Sequence, residues 1–598
     1  MFQQLYELGQ ILPEVEPWEH FNEGMPDNYD RGLAICFDPR GKYIGIRTRL
    51  GNADVVYRSG PPNGFDFTPC SKLTKPSRTV KRLHRAIGNL VEAQYLEEWQ
   101  KKWLVKVINE YESKQEEIGN KVEQQVAAAG IDKDHRGYLF IASFEDGMIS
   151  PIYNWETVKH WMATTTLESF ARHKKQTTAA EGKTCSICGH IDRRVYGNFS
   201  ILACYNLDKL GTIAGGFSKS SSAKNFPVCE ECAPGLSYSI LYARKELAGY
   251  SAGQQYFILP FSSIPEHRKI LRREFAANPQ RLSIGGSGDL FAQENEILAY
   301  FDELAQGNLR YAVGFSLIFF REENASWRIQ AEVNEILPSR IGEIHEAISL
   351  IEQDELLFSI NDKESKPMRL STNNLRSFAE KKERAGNKIR SWLVALFSGE
   401  HVDRNNFLHD VVSRILAVSK STPKFFPHTV RQAWGIYQFA ILTGLIERME
   451  ERMNLAIPKS SYGEFVNNHK DFFYSPELIT SFLTGCYASV VCSVQRKERN
   501  VDSAPFAKKF LGRLMDRDRL MRIYRDGHDK LGVYNSLGLV AKDLDPDLAD
   551  SWINAGSPQD WQATKDELSF AFVLGYSLQW RIHHAKSKLP EPIEEETI

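Results

Sequence analysis

Apolar positions change character along this chain, from short runs in its first half to long helical spacings in its last third. Leu33-Ala-Ile-Cys-Phe37, the turn residues Asp38-Pro-Arg-Gly41 and Tyr43-Ile-Gly-Ile46 predict two strands around a tight turn. Asp54-Val-Val-Tyr57 reads as a third strand, closed by Ser59-Gly-Pro-Pro-Asn-Gly64. From Thr79 to about Ala129 the period becomes helical, with Leu83, Ile87, Leu90 and Val91, then Leu96, Trp99, Trp103 and Val107, on repeating faces. Tyr138 to Phe144, ended by Glu145-Asp-Gly147, predicts a buried strand. Gln255 to Phe261 predicts a strand returning to the same sheet. Leu309 to Arg321 and Ser326 to Val333 predict a hairpin around the polar tip Glu322-Glu-Asn-Ala325.

After Pro338 the strand signal nearly stops. Helices are predicted over Ile341–Ile360, Leu375–Phe397, Val411–Ser419, Thr429–Met453, Pro476–Gln495, Ala504–Tyr524 and Asp566–Ala585, with a break at Ile457–Gly463. No internal repeat has a solenoid period, and the acidic tail from Pro590 is expected to fray. The fold class is therefore α+β. A mixed N-terminal α/β domain (1–181) carries a four-cysteine insertion (182–235) and resumes with the hairpin (236–340). A helical linker domain (341–448) and a C-terminal helical bundle (449–598) follow.

Composition narrows the classes. At 598 residues, 42% hydrophobic and 25% charged, the chain is ordinary globular material with more than one core. Lys+Arg 74 against Asp+Glu 76 leaves a net charge of -2, so a nucleic-acid site must be a local patch. Nine cysteines are too few for a disulfide scaffold and suit a reducing cytoplasm. The start has no basic signal-peptide region, and the uncharged run Ile479–Val494 falls short of the ~20 residues a bilayer-spanning helix needs. A soluble cytoplasmic protein without a membrane role is expected.

The strongest chemical signal is Cys185-Ser-Ile-Cys188 with Cys229-Glu-Glu-Cys232. Two C-x-x-C knuckles supply four thiolates to one tetrahedral ion, a closed shell with no open position for water, so zinc here is structural rather than catalytic. Gly189 and Pro234-Gly235 place each pair in turn chemistry. The 40 residues between Cys188 and Cys229 imply an excursion, with strands between Tyr196 and Leu207. His190 and Cys204 are bystanders. Redox dithiols or unrelated buried cysteines are the competing reading.

Three basic regions are candidates for a phosphate backbone. Lys72, Lys75, Arg78, Lys81, Arg82 and Arg85 lie in Phe67–Val91, which holds no Asp or Glu, and the last four share one helical stripe. Inside the insertion, Gly215-Gly-Phe-Ser-Lys-Ser-Ser-Ser-Ala-Lys-Asn-Phe226 combines small residues with Lys219 and Lys224. Asn225 is suited to a base edge, and an ordinary surface loop is an equal reading. Lys508, Lys509 and Arg513, with Arg517 and Arg525, fit one side of a helix pair. Eleven Lys/Arg against six Asp/Glu over 496–530 suit a solvated face nearly as well.

No catalytic constellation emerges. G-x-S-x-G, H-E-x-x-H and P-loop spacings are missing, Gly285-Gly-Ser-Gly288 is a lone turn, and His409-Asp410 and His528-Asp529 are isolated dipeptides. A zinc-stabilised, non-enzymatic scaffold that touches nucleic acid is expected.

Cys185-Ser-Ile-Cys188, the Ser/Lys loop, Phe226-Pro-Val-Cys-Glu-Glu-Cys232, Phe482-Leu-Thr-Gly485 through Gln495, Ala504-Pro-Phe506 and Asp566–Gly575 together resemble the large subunit of type I-B CRISPR Cascade complexes. The resemblance implies a non-catalytic subunit that inspects a motif flanking the target in double-stranded DNA while a guide RNA reads the target by pairing. It also implies help in opening the duplex, a grip on the displaced strand and a platform for a separate helicase-nuclease. The implied partners include the Cascade backbone and guide-end-capping subunits and separate small subunits. The C-terminal bundle resembles a fused small subunit, and Met449 or Met453 could start a separate copy of it. The large subunit of a type III complex, with nucleotidyl cyclase activity, is an alternative needing a Gly-Gly-Asp-Asp turn that Gly285-Gly-Ser-Gly-Asp289 does not supply. A zinc-stabilised nucleic-acid-binding scaffold outside CRISPR is another.

Overall fold

The computed structural model describes all residues except 62, 174–175, 200, 202–206, 208–217, 263, 278–313, 324–325, 359–369, 380–385, 451–454, 541–542 and 586–598. The chain divides into two compact units, chiefly Met1–Ala248 and Gln330–Ile598.

The first unit opens with helix α1 (Phe2–Ile11), followed by β1 (Arg31–Phe37), β2 (Tyr43–Leu50) and β3 (Cys70–Lys72). Helices α2 (Pro76–Val91), α3 (Glu98–Ser113) and α4 (Gln115–Ala128) lead to β4 (Gly137–Glu145), β5 (Met148–Pro151) and α5 (Glu156–Phe170). The sheet runs β2-β1-β4-β3, with β5 also on β4. Asp38 builds the predicted turn between β1 and β2, its carboxylate accepting from the amides of Arg40 (2.9 Å) and Lys42 (2.8 Å). β1 pairs parallel with β4, and the long helical crossover between them is what a parallel pair requires. Its core is Leu33, Ile35 and Phe37 of β1 and Leu139 and Ile141 of β4, covered by Leu83, Ile87, Leu104, Val107, Tyr111 and Val122 from the three helices. The predicted helical periodicity thus becomes the sheet's cover.

Next come the two-residue β6 (Arg172–His173) and β7 (Gln176–Thr177), then β8 (Ala180–Lys183), β9 (Arg193–Tyr196) and β10 (Val228–Cys229), leading into α6 (Cys232–Glu246). β8, β9 and β10 form a three-stranded sheet in the order β10-β9-β8. β11 (Ala248–Ser251), β12 (Gln254–Phe261), β13 (Gly314–Glu323) and β14 (Ser326–Ile336) form their own four-stranded sheet in chain order. The expected return of Gln255–Phe261 to the first sheet is thereby corrected, while the hairpin is present; its tip residues Asn324 and Ala325 lie outside the described residues. Asp54–Tyr57 is not a strand. Its backbone is satisfied without a ladder: the Tyr57 amide donates to the Asn22 side chain (3.0 Å), and the Tyr57 carbonyl accepts from Glu23 (2.9 Å). Helix α7 (Pro265–Ala277) is tied to the chain start by Arg272, which donates to the Gln10 carbonyl (2.9 Å).

The second unit is helical: α8 (Pro338–Glu352), α9 (Glu355–Phe358), α10 (Thr372–Ala379), α11 (Asn387–Ser398), α12 (Arg404–Ser421), α13 (Phe426–Leu442), α14 (Tyr462–Asn468), α15 (Pro476–Arg499), α16 (Arg517–Val533), α17 (Leu544–Asn554) and α18 (Lys565–Ala585). The helix expected to reach Met453 stops at Leu442, just before Gly444 in the left-handed region (φ +68°). The single helix expected over Ala504–Tyr524 is instead a 3-10 turn, Pro505–Lys509, an irregular stretch, and α16, whose first turn Asp516 caps by accepting from the Arg519 amide (2.9 Å).

α15 and α18 cross backbone against backbone. A Cβ on Gly485 would meet the Phe572 carbonyl oxygen at 2.0 Å, and one on Gly575 would meet the Phe482 carbonyl oxygen at 1.9 Å. The Phe-x-x-Gly segments 482–485 and 572–575 thus face each other reciprocally. α15 is longer than its uncharged run suggested, and by length and apolarity it could cross a membrane. However, 83% of its apolar window is buried inside this packing, which accounts for the apolarity.

Candidate metal centre and nucleic-acid surface

The four predicted cysteines converge. Cys185 and Cys188 lie in the loop between β8 and β9, Cys229 ends β10, and Cys232 opens α6. Register places the second knuckle, because Cys229 pairs with Val195 and Val228 with Tyr196. The first knuckle is closed by backbone bonds: Gly189, at φ +71°, donates to the Cys185 carbonyl (3.0 Å), Cys185 donates to the His190 carbonyl (3.0 Å), and Ser186 donates to the Pro227 carbonyl (2.8 Å). A residue with a Cβ would be strained at Gly189. Arg194 spans the sheet, pairing with Glu230 at 2.7 Å and Glu181 at 3.3 Å.

All four sulfurs lie within 4.8 Å of one another, and Cys188 and Cys229 are 3.9 Å apart. Tetrahedral zinc with bonds of ~2.3 Å would hold its sulfurs about 3.8 Å apart, so the cluster fits a metal ion of that size. The Ile187 and Cys229 amides donate to the Cys185 sulfur at 3.4 and 3.3 Å, stabilising charge on it. A hydrogen bond from Cys232 pulls the Cys185 thiol below its ordinary value, whereas that donation holds Cys232 up and burial raises Cys229. A divalent cation bound among the four sulfurs would supply counter-charge to their thiolates.

α1 forms one wall of this centre and was missed by the sequence reading. Phe2 packs on Phe226 with ring centroids 4.3 Å apart, and Tyr6 has its hydroxyl pKa raised by burial and then by the four cysteines. Gly9 approaches Gly235 closely, since a Cβ there would sit 3.2 Å from the Gly235 carbonyl. Phe2, Leu5, Leu8 and Ile11 already stand at helical spacing and carried the signal. Cys204 and residues 202–206 of the expected strands lie outside the described residues.

The basic residues separate by what they touch. Lys75, Arg78, Lys81 and Arg85 are exposed and make no ion pair among the described residues. Arg78, Lys81 and Arg85 do share one face of α2, whose buried side is Val80, Leu83, Ala86, Ile87 and Leu90. Arg82 belongs to the interior edge: its guanidinium forks onto the buried Asp66 carboxylate at 2.8 and 2.7 Å. The same carboxylate accepts from the Ser71 hydroxyl (2.6 Å). Lys72 lies over the Tyr57 and Tyr29 rings at 5.0 and 5.6 Å. In the insertion, Lys219 to Lys224 forms a 3-10 turn packed on Gly197, where a Cβ would meet the Ser222 hydroxyl at 2.6 Å. Lys219 contacts His173 at 3.2 Å, Lys224 is exposed and Asn225 is half-buried; Gly215–Phe217 lie outside the described residues. Lys508 and Arg513 are exposed while Lys509 pairs with Asp526. Arg517 lies 5.8 Å from the stacked rings of Trp552 and Trp561. The expected single basic helix side is therefore broken up. Gly285–Asp289 and Met453 lie outside the described residues, and Met449 is exposed in the stretch after α13.

Residues 182–336 match the family model for the central domain of CRISPR-associated protein TM1802, and residues 370–588 match that for its C-terminal domain. The chain belongs to the TM1802 family of CRISPR-associated proteins. The central TM1802 match contains all four cysteines, and the C-terminal match contains the α15–α18 crossing. The α2 stripe lies before both spans. No curated protein matches the chain.

Proposed function

We propose that this TM1802-family chain is the non-catalytic large subunit of a type I-B, RNA-guided Cascade surveillance complex, which inspects the motif flanking a target in double-stranded DNA. The observation that carries the reading is the match of both the central and the C-terminal TM1802 domains. Lys75, Arg78, Lys81 and Arg85 support it as an uncompensated surface for duplex phosphates, with Lys224 and Asn225 beside the knuckle as further contacts. In the same reading the four cysteines hold structural zinc, because four thiolates complete its shell. Guide RNA, backbone and guide-end-capping subunits, small subunits and a recruited helicase-nuclease are the partners. Affinity purification of the tagged chain, with RNA sequencing and mass spectrometry, tests the assignment. A uniform short RNA with repeat-derived ends and several stoichiometric proteins is expected; a lone zinc protein without RNA overturns it.

A further inference from the structure

In the second unit, α8, α13 and α14 surround a cavity of about 500 Å³. One wall is aliphatic, with Leu350 and Leu442 lining it although 54% and 42% of their surfaces stay exposed. The other presents three amide side chains, Gln438 from near the C-terminal end of α13 and Asn467 and Asn468 from the last turn of α14. Behind them, His469 faces Gln438 at 3.3 Å and packs edge-on against Trp434 with centroids 5.1 Å apart. Burial pushes His469 down to about 4, so the ring is neutral at pH 7. Four charged side chains complete the lining, Arg448 and Lys470 against Asp354 and Asp471, and their formal charges cancel.

This chemistry does not suit a phosphate, which would need net positive charge. It suits a neutral, flat group with apolar faces and alternating donors and acceptors along its edge. Side-chain amides are the groups that read such edges, as Asn and Gln do on adenine, and an aliphatic wall covers the flat face. We infer that this cavity takes a single unstacked nucleobase from a single-stranded nucleic acid, the phosphates remaining outside. The inference rests on the proposed nucleic-acid role and assigns it a second site, distinct in chemistry from the α2 stripe.

Single-stranded DNA 12-mers, intact or carrying abasic positions, titrated by fluorescence anisotropy into the zinc-loaded full chain, test it. The wild type should prefer the intact oligonucleotide by about tenfold, within the range of one lost base contact. Asn467→Ala/Asn468→Ala, both exposed at a helix end, should abolish that preference while leaving the slope of affinity against salt unchanged, since no phosphate contact is removed. Gln438→Ala, which removes the third amide of the lining, should do the same. Equal preference for intact over abasic DNA in wild type and both variants overturns the base pocket and leaves the nucleic-acid reading standing. No binding of any oligonucleotide by the wild type overturns both.

Discussion

The cysteine centre and the α15–α18 crossing solve the same problem, holding distant segments together, by opposite means. The centre gathers the β8–β9 loop, a two-residue strand, a helix start and α1 around four sulfurs. The crossing needs no ion: two glycines let helix backbones touch, and long buried side chains on either side lock the contact. A region built on a metal should fail all at once when the metal leaves. One built on packing should lose stability in increments, each set by one contact.

The largest effect should therefore follow metal removal. Chelation, or Cys188→Ser, is expected to open the 182–196 segment and to loosen α1, which leans on the centre through Phe2 and Tyr6. Hydrogen exchange should rise by orders of magnitude at residues 2–11 and 182–196, because a structural zinc site contributes about 10 kcal/mol or more to its own fold. Exchange in α15 and α18 should stay as it was. If α1 kept its protection without metal, the centre would be a local clip that holds only its own loops together.

In the bundle, the next large effect is expected at Glu567. Its carboxylate, 3% exposed, pairs with the buried Arg404 and accepts from Tyr474 (2.6 Å) and from the Thr564 amide (2.8 Å). Glu567→Gln should cost about 3–5 kcal/mol in a denaturant melt, since it leaves Arg404 buried without its counter-charge. Burial pushes the Glu567 carboxyl up, but the hydrogen bonds from Arg404 and Tyr474 outweigh it and hold the pKa below its ordinary value. Its contribution is then complete above the ordinary carboxylate range and is lost as pH falls through the lowered value. Acid melts of the wild type should show that loss, and those of the variant should not.

Gly485→Ala comes next. Its methyl would stand 2.0 Å from the Phe572 carbonyl oxygen, so α15 and α18 must separate, at about 1–3 kcal/mol. Gly575→Ala should cost a similar amount, and the double variant less than the sum, because separating the helices once relieves both clashes.

How much of this was legible follows the same division. Paired C-x-x-C motifs announce a metal site because ligand spacing is local in sequence, and the sheet's core was legible because strand and helix periodicities are local too. The Phe-x-x-Gly segments and Thr564-Lys-Asp-Glu567, a capping box ahead of an apolar run, stand in the sequence but went unread, and their partners are not local to it. Only the fold tells that Gly485 faces Phe572, that Glu567 meets Arg404, or that Gln438 and Asn467 share a cavity. Asp54–Tyr57 misled because a β-rich tetrapeptide can satisfy its backbone through loop side chains. The basic stripe misled by one residue. Charge and spacing put Arg82 with its neighbours, and nothing local says that Asp66 lies beneath it.

That residue gives the smallest and most discriminating comparison. Arg78 and Arg82 sit one helical turn apart on α2, one exposed and the other forked onto a buried carboxylate. Arg82→Ala should lower stability by about 1–3 kcal/mol, since Asp66 keeps its Ser71 bond but loses both guanidinium bonds. Arg78→Ala should change stability by less than about 0.5 kcal/mol. For duplex DNA the order reverses: Arg78→Ala should reduce the salt slope of affinity by about one, as expected for a lost phosphate contact. Arg82→Ala should leave that slope unchanged at temperatures where the chain stays folded. If both variants moved the slope equally, the Arg82 fork would open to receive DNA, and burial on this helix would not separate structural from binding arginines.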